Sequence, residues 1–216
     1  MPPMRALARL VRLPNLFTAV ADPLAGWLIA GGHGTPVGPV AASACLYTAG
    51  IVLNDCFDFA ADCRDRSERP LPRREIPLPA AWGLGVVLLL AGIAVGGWNA
   101  VPLAVLILFY DAYSKQFGLL GPLTLGACRA GNMILGGPTL IWPPVILGVY
   151  VTVLSVVARR EDLRPELRAV VKRLLLGIIV LDALLVFALT GDMVGALLVL
   201  SLLAPAWALG RMLPMT

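Results

Sequence analysis

Gly50-Ile51-Val52-Leu53-Asn54-Asp55-Cys56-Phe57-Asp58-Phe59-Ala60-Ala61-Asp62 runs from an apolar stretch straight into three carboxylates. Asp55, Asp58 and Asp62 stand at i, i+3 and i+7, so at about 100° per residue they share one face of a helix, with Asn54 at its edge. A helix end dipping into water could carry them as a solvated face, but solvation does not require a shared stripe. Three carboxylates on one stripe repel each other, and a hard divalent cation relieves that repulsion. Mg²⁺ takes oxygen ligands and is usually held by a few carboxylates together with substrate phosphates.

The surrounding composition sets the medium. The chain has 216 residues, 59% hydrophobic and 14% charged, with a mean hydropathy of +0.86. A soluble domain carries about 25% charged residues, so the chain reads as an integral membrane protein in one transmembrane domain, residues 1–216. Cys45, Cys56, Cys63 and Cys128 show no CxxC spacing, and with one histidine, His33, they make no zinc or redox motif. No GxGxxG, Walker A or HExxH pattern occurs.

Working outward, the pattern predicts an all-α bundle of about eight spans. The first covers Leu13 to Ala30; Asp22-Pro23 interrupts it and no cleavage site is evident, so it reads as a retained helix rather than a signal peptide. Helix 2 runs from about Pro39 to Asp62, and the Arg69-Pro70-Leu71-Pro72 segment after it reads as extended. Helices 3 to 8 follow at roughly 77–98, 101–115, 122–136, 143–159, 171–190 and 193–210. Of 17 Lys and Arg residues, 16 fall on the side of the N-terminus, the loops after helices 2, 4 and 6, and the C-terminus; Arg129 lies within helix 5. The positive-inside rule therefore orients the bundle N-in and C-in. The basic excess reflects orientation and an anionic ligand, and does not imply nucleic acid.

That orientation gathers the acidic stripe, the arginine-rich loop Cys63–Ile76, the Tyr110–Lys115 helix end and the charged loop 159–173 on the cytoplasmic face. Carboxylates and cations over an apolar bundle suit an amphiphile whose diphosphate is held at the cap while its tail lies between helices. Asp22, Arg129 and Asp182 fall inside spans, where an unpaired charge costs about 2.5–3.5 kcal/mol, so they should face the interior. A structural Asp–Arg pair and a substrate-lining role are both open for Asp22 and Asp182. Arg129, below the acidic cap with Asn132 one turn further on, reads as functional.

These residues resemble the UbiA superfamily of intramembrane prenyltransferases. Asn54-Asp55-x-x-Asp58-x-x-x-Asp62 matches its first Asp-rich motif, and Arg69-Pro70-Leu71-Pro72 the RPLP that follows it. Arg12-Leu13-Pro14-Asn15 is similar to the family's N-terminal signature, and Tyr110 with Lys115 to its Tyr…Lys segment. Asp111, Gly126-Ala127-Cys128-Arg129 and Asn132 look closest to a bacterial EboC-like branch. The second half departs from the pattern: where the family carries DxxxD, Asp162-Leu163-Arg164-Pro165-Glu166 offers DxxxE, preceded by Glu161.

The resemblance implies a central cavity, Mg²⁺, and transfer of a prenyl group from an isoprenyl diphosphate to a small, often aromatic, acceptor at the cytoplasmic side of a bacterial-type inner membrane. Asp55, Asp58 and Asp62 would hold one metal ion, and Glu161, Asp162 and Glu166 a second. Asp58, Tyr110, Lys115 and Arg129 would serve catalysis. Asn15, Asp22, Asn54, Arg66, Arg69 and Asn132 would bind substrate. The rival readings are a non-catalytic homologue that binds prenyl lipids, and an amphiphile transporter.

Overall fold

The computed structural model describes residues 3–137, 140–160 and 166–213 and, among them, is all-α. A short helix α1 (Pro3–Leu10) leads into α2 (Leu13–Ile29), α3 (Val37–Phe57) and the short α4 (Phe59–Asp65). Then come α5 (Leu78–Gly96), α6 (Val101–Ala112), α7 (Leu120–Ile134), α8 (Trp142–Ala158), α9 (Leu167–Thr190), α10 (Met193–Ser201) and α11 (Leu203–Leu209). The stretches Val37–Phe57, Leu78–Ala112 and Leu167–Thr190 are long and apolar enough to cross a membrane, and Trp142–Ala158 and Met193–Leu209 are shorter apolar helices.

The bundle wears its apolar side chains outward as well as inward. Val87 and Leu90 of α5, Val149 and Val153 of α8, Leu184 of α9 and Val194 of α10 are all exposed. Such a surface is costly in water and at home in lipid, where helices satisfy their own backbone polar groups. Inside, one core joins α2 and α7 to α8, α9, α10 and α11 around Met133, Leu147, Ile179 and Val199. A second joins α3 to α5, α6 and α7 around Leu46, Leu53 and Leu103.

One proline and two glycines set how α2 meets α7. Pro23 lies inside α2 and has no N–H, so the Ala19 carbonyl loses its helical partner. Asn132 Nδ2 of α7 (2.7 Å) and Ser43 Oγ of α3 (3.0 Å) donate to that carbonyl instead. The backbones come close because the contact is glycine on glycine. A Cβ on Gly26 would collide with the Met133 carbonyl, and one on Gly136 with the Pro23 carbonyl and the Trp27 amide. Small residues at such crossings are how membrane helices approach.

Four local expectations are corrected. Residues 3–10, left outside the first span at Leu13, form α1, and Arg12 turns the chain into α2 through the left-handed region (φ 45°). Helix 2 does not run unbroken to Asp62: α3 stops at Phe57, Asp58 takes φ −85°, ψ 0°, and α4 begins at Phe59. Bonds from Asp58 N to Asn54 O (3.0 Å) and Asp62 N to Asp58 O (2.8 Å) keep the break mild. The Arg69–Pro72 segment is folded into turns, with Arg73 N donating to Arg69 O and Glu75 N to Pro70 O. Its anchor is Leu71, buried against Leu10, Val52, Cys56 and Ala81. Finally, the helix carrying Tyr110 ends at Ala112, and Lys115 lies in a 3₁₀ turn, Ser114–Gln116.

Gly136→Leu should force α2 from α7 and cost about 1–3 kcal/mol. Its detergent melting temperature should fall well below that of Gly38→Ala, whose added methyl meets no neighbour.

Candidate active site

Helices α2, α3, α6, α7, α8 and α9 enclose a cavity of about 910 Å³. Its mouth is polar, lined by Asn54, Asp55, Asp58, Arg66, Arg69 and Lys115, while Leu46, Ile51, Leu103, Leu125 and Ile178 line apolar wall. Carboxylates at the C-terminal end of α3 sit where the helix dipole already places negative charge, so they need cations close by. The chain supplies three. Asp55 Oδ1 takes Arg12 Nη2 at 3.1 Å and Arg69 Nη1 at 3.2 Å. The same Arg69 nitrogen reaches Asp62 Oδ2 at 2.8 Å. Lys115 Nζ sits 2.8 Å from Asp58 Oδ1 and donates to Asn54 Oδ1 at 3.1 Å.

Helical spacing sets this division: Asn54 and Asp58, one turn apart, face Lys115, whereas Asp55 and Asp62, two turns apart, share Arg69. Asp62 does not line the cavity; it is buried behind Arg69 and acts as that guanidinium's second anchor. Burial pushes the Asp62 carboxyl above the usual carboxylate range, and Arg69 pulls it back. Among the described residues no three His, Cys, Asp or Glu side chains converge to enclose a metal ion. Asn54, Asp55 and Asp58 nonetheless offer only hard oxygen donors to the mouth. Such a set fits Mg²⁺, which completes its shell with water and substrate phosphates rather than a protein cage.

A second polar cluster lies among the spans. Arg129 Nη2 donates to Asp22 Oδ1 (2.7 Å) and to the Thr18 carbonyl (2.7 Å), and Asn132 Nδ2 donates to Asp22 Oδ2 (2.8 Å). Asp22 is fully buried and stays off the cavity wall. Fully buried Asp182 joins the cluster from α9, interacting with Asp22 and Arg129. Asn15, Arg129 and Asn132 do line the cavity. Asp22 is thus placed as the strut that aims Arg129 and Asn132, not as a wall.

Of the other residues singled out from the sequence, Tyr110 lines the cavity and Glu166 is exposed at the start of α9, away from it. Glu161 and Asp162 lie outside the described residues. The structure also brings to the wall Arg12, Tyr47, Asp111 and Arg159, which had no assigned role. Arg12 was legible within its Arg-Leu-Pro-Asn signature. Tyr47 was not, because an aromatic residue inside an apolar span looks like any core residue.

No protein-family model matches the chain. Over 171 residues, 70% of its length, it is 32% identical to the digeranylgeranylglyceryl phosphate synthase of Ignicoccus hospitalis; the match spans 56% of that relative, about half its length. A solved structure concerning digeranylgeranylglyceryl phosphate synthase in membranes superposes with a TM-score of 0.64, at 19% identity, covering 96% of this chain and 95% of the other. A UbiA homologue from Archaeoglobus fulgidus, bound to DMAPP and Mg²⁺, gives a TM-score of 0.64 at 13% identity over 95% of this chain and 86% of its own. The chain shares the fold of these UbiA homologues. The narrower likeness to an EboC-like branch is not confirmed by these relatives.

Removing one member of the UbiA-fold inner cluster should be severe. Arg129→Met strands a buried carboxylate and should cost about 3–5 kcal/mol. The triple variant Arg129→Met/Asp22→Leu/Asp182→Leu should recover part of that loss in thermal melts, since it removes the cluster's carboxyls together with its cation.

Proposed function

We propose that residues 1–216 form one intramembrane prenyltransferase domain, moving a polyprenyl group from an isoprenyl diphosphate to a small acceptor with the help of Mg²⁺. The observation that carries this reading is the mixed lining of the cavity of about 910 Å³: carboxylates and cations at its mouth, and beyond them apolar side chains interrupted by Asn15, Arg129 and Asn132. Such a space matches an amphiphile with a charged head and a greasy tail, and a soluble anion would leave the walls unused. Support comes from the relatives' names and from the Archaeoglobus structure, which holds a prenyl diphosphate and Mg²⁺ in the same fold.

In this reading Asn54, Asp55 and Asp58 hold the metal ion and Asp62 keeps Arg69 in place. Mg²⁺ would supply charge neutralisation to the diphosphate as it leaves. Arg69, Arg66 and Lys115 donate N–H groups to phosphate oxygens, Arg in a planar fork and Lys as a point charge. Donors already aimed at the place where negative charge develops usually do most to lower the barrier of such a reaction. Heterolysis of the allylic C–O bond leaves an electron pair on the diphosphate and a cation in a space whose apolar walls exclude water. The Tyr110 and Tyr47 rings on that wall can stabilise the cation through their faces. Asn15, Arg129 and Asn132 offer hydrogen bonds with which to orient the acceptor. Glu161, Asp162 and Glu166 would hold a second ion.

The acceptor belongs to the same proposal. An aromatic carbon is one class; the name of the Ignicoccus relative points to glyceryl phosphates as another. We assign both termini and the mouth to the cytoplasmic side on the lysine and arginine distribution, with eight spans from the apolar runs and a bacterial-type inner membrane from the family resemblance.

Geranylgeranyl diphosphate titrated onto purified protein in detergent should bind tightly with Mg²⁺ and at least about tenfold more weakly in EDTA, because each phosphate then faces carboxylates with no ion between them. Asp58→Ala should lose the Mg²⁺-dependent part and all transfer while keeping its melting temperature within a few degrees. Binding indifferent to both Mg²⁺ and Asp58 would return the acidic stripe to a solvated helix end. Mg²⁺-dependent binding with no transfer to any acceptor in a panel of phenols and alkylglyceryl phosphates would favour a prenyl-lipid-binding homologue.

A further inference from the structure

Lys115 reaches the acidic mouth from an unpromising platform. The link from α6 to α7 contains a single 3₁₀ turn, Ser114–Gln116, held by bonds from Gln116 N to Tyr113 O (3.3 Å) and Phe117 N to Ser114 O (3.1 Å). Short segments of this kind fray readily. Yet the Lys115 ammonium is placed on Asp58 at 2.8 Å and on Asn54 at 3.1 Å, with its side chain only 12% exposed.

The tie comes from the second half of the chain. Arg159 caps the C-terminal end of α8, and its guanidinium forks onto this link: Nη2 donates to the Lys115 carbonyl at 2.9 Å and Nη1 to the Gly118 carbonyl. A planar fork can hold two carbonyls at once, which an ammonium on a flexible stem cannot do with the same geometry. The space for it is made by a missing side chain. A Cβ on Gly121 would land on Arg159 Nη2, and would lie 2.9 Å from Lys115 Cα and 3.2 Å from the Ser114 carbonyl. Arg159 and Gly121 are therefore two halves of one fitting.

We propose that Arg159 is a positioning residue: it clamps the backbone at Lys115, and so sets the point from which that ammonium meets the diphosphate. This rests on the prenyl diphosphate reading of the mouth. It adds a physical link between the charged end of α8 and the Asp-rich motif of the first half.

The test is a double-mutant cycle with an independent conformational arm. Arg159→Ala should weaken Mg²⁺–geranylgeranyl diphosphate binding by about tenfold, the scale of weakening one charge-assisted hydrogen bond. Arg159→Lys should restore little, since charge alone does not make the fork, and Arg160→Ala should bind like the parent. In a Lys115→Met background, Arg159→Ala should cost no further affinity, because it acts through Lys115. Without any ligand, amide hydrogen exchange across 113–121 should quicken in Arg159→Ala and equally in Gly121→Ala, which evicts the guanidinium while keeping it in the chain. If the losses from Arg159→Ala and Lys115→Met multiply instead, Arg159 meets the phosphate itself and the proposal is overturned. Unchanged exchange across 113–121 in both variants overturns it too. Should the parent bind no prenyl diphosphate, the functional reading fails by itself; the exchange arm then upholds or overturns the clamp.

Discussion

A guanidinium inside a helix bundle cannot be left unpaired, and the Arg129–Asp22 contact is the constraint on which the arrangement of helices rests. Desolvating two charges costs several kcal/mol each and is repaid only when their remaining hydrogen-bonding groups find partners. Here Asp22 receives both Arg129 and Asn132, and Arg129 also donates to the Thr18 carbonyl, leaving its buried Nε without a partner among the described residues. The partners lie on α2 and α7, so the charges dictate that these two helices touch. The touching is possible because Gly26 and Gly136 carry no side chain. It is useful because Pro23 has left a carbonyl free for Asn132. Charge, glycine and proline make one decision between them.

With that pair closed, the cavity acquires two polar zones of different character. The inner zone is held by buried partners and has little freedom. The outer zone is a set of carboxylates and cations that are partly open to water: the Asp58 side chain is 33% exposed, against 6% for Asp55. Cations paired to carboxylates at a mouth can exchange those partners for phosphate oxygens without crossing an apolar barrier. A rigid inner strut and an adjustable outer cap are what a site needs if it must orient one ligand while releasing charge from another.

How much of this was legible in the chain follows from which interactions are local. Helix extents followed from apolar runs, and the acidic stripe from spacing within one helix, because both are properties of neighbours in sequence. The break at Asp58 was not visible: Phe57-Asp58-Phe59 carries neither glycine nor proline, and the helical bonds across it are kept. The folded Arg69–Pro72 turn depends on Leu71 finding a pocket among α3, α5 and the end of α1, a contact between residues far apart in the chain. Asp22 could be recognised as needing a partner from its depth alone, but whether it would face substrate or serve as a strut depended on where α7 came to lie. The Glu161–Glu166 segment shows the opposite limit, since a short charged run reads equally well as loop or as ligand set.

The three carboxylates, finally, do not perform one task in three copies. Each meets a different set of neighbours. Asp55 stands between two arginines, Asp58 faces a lysine across the mouth, and Asp62 sits behind Arg69 without reaching the cavity. Losing Asp62 would then free Arg69 without removing an oxygen from the mouth, whereas losing Asp58 removes the oxygen itself. A motif that reads as a row of equivalent ligands is, in the folded chain, two carboxylates at the mouth backed by a support for the neighbouring cation.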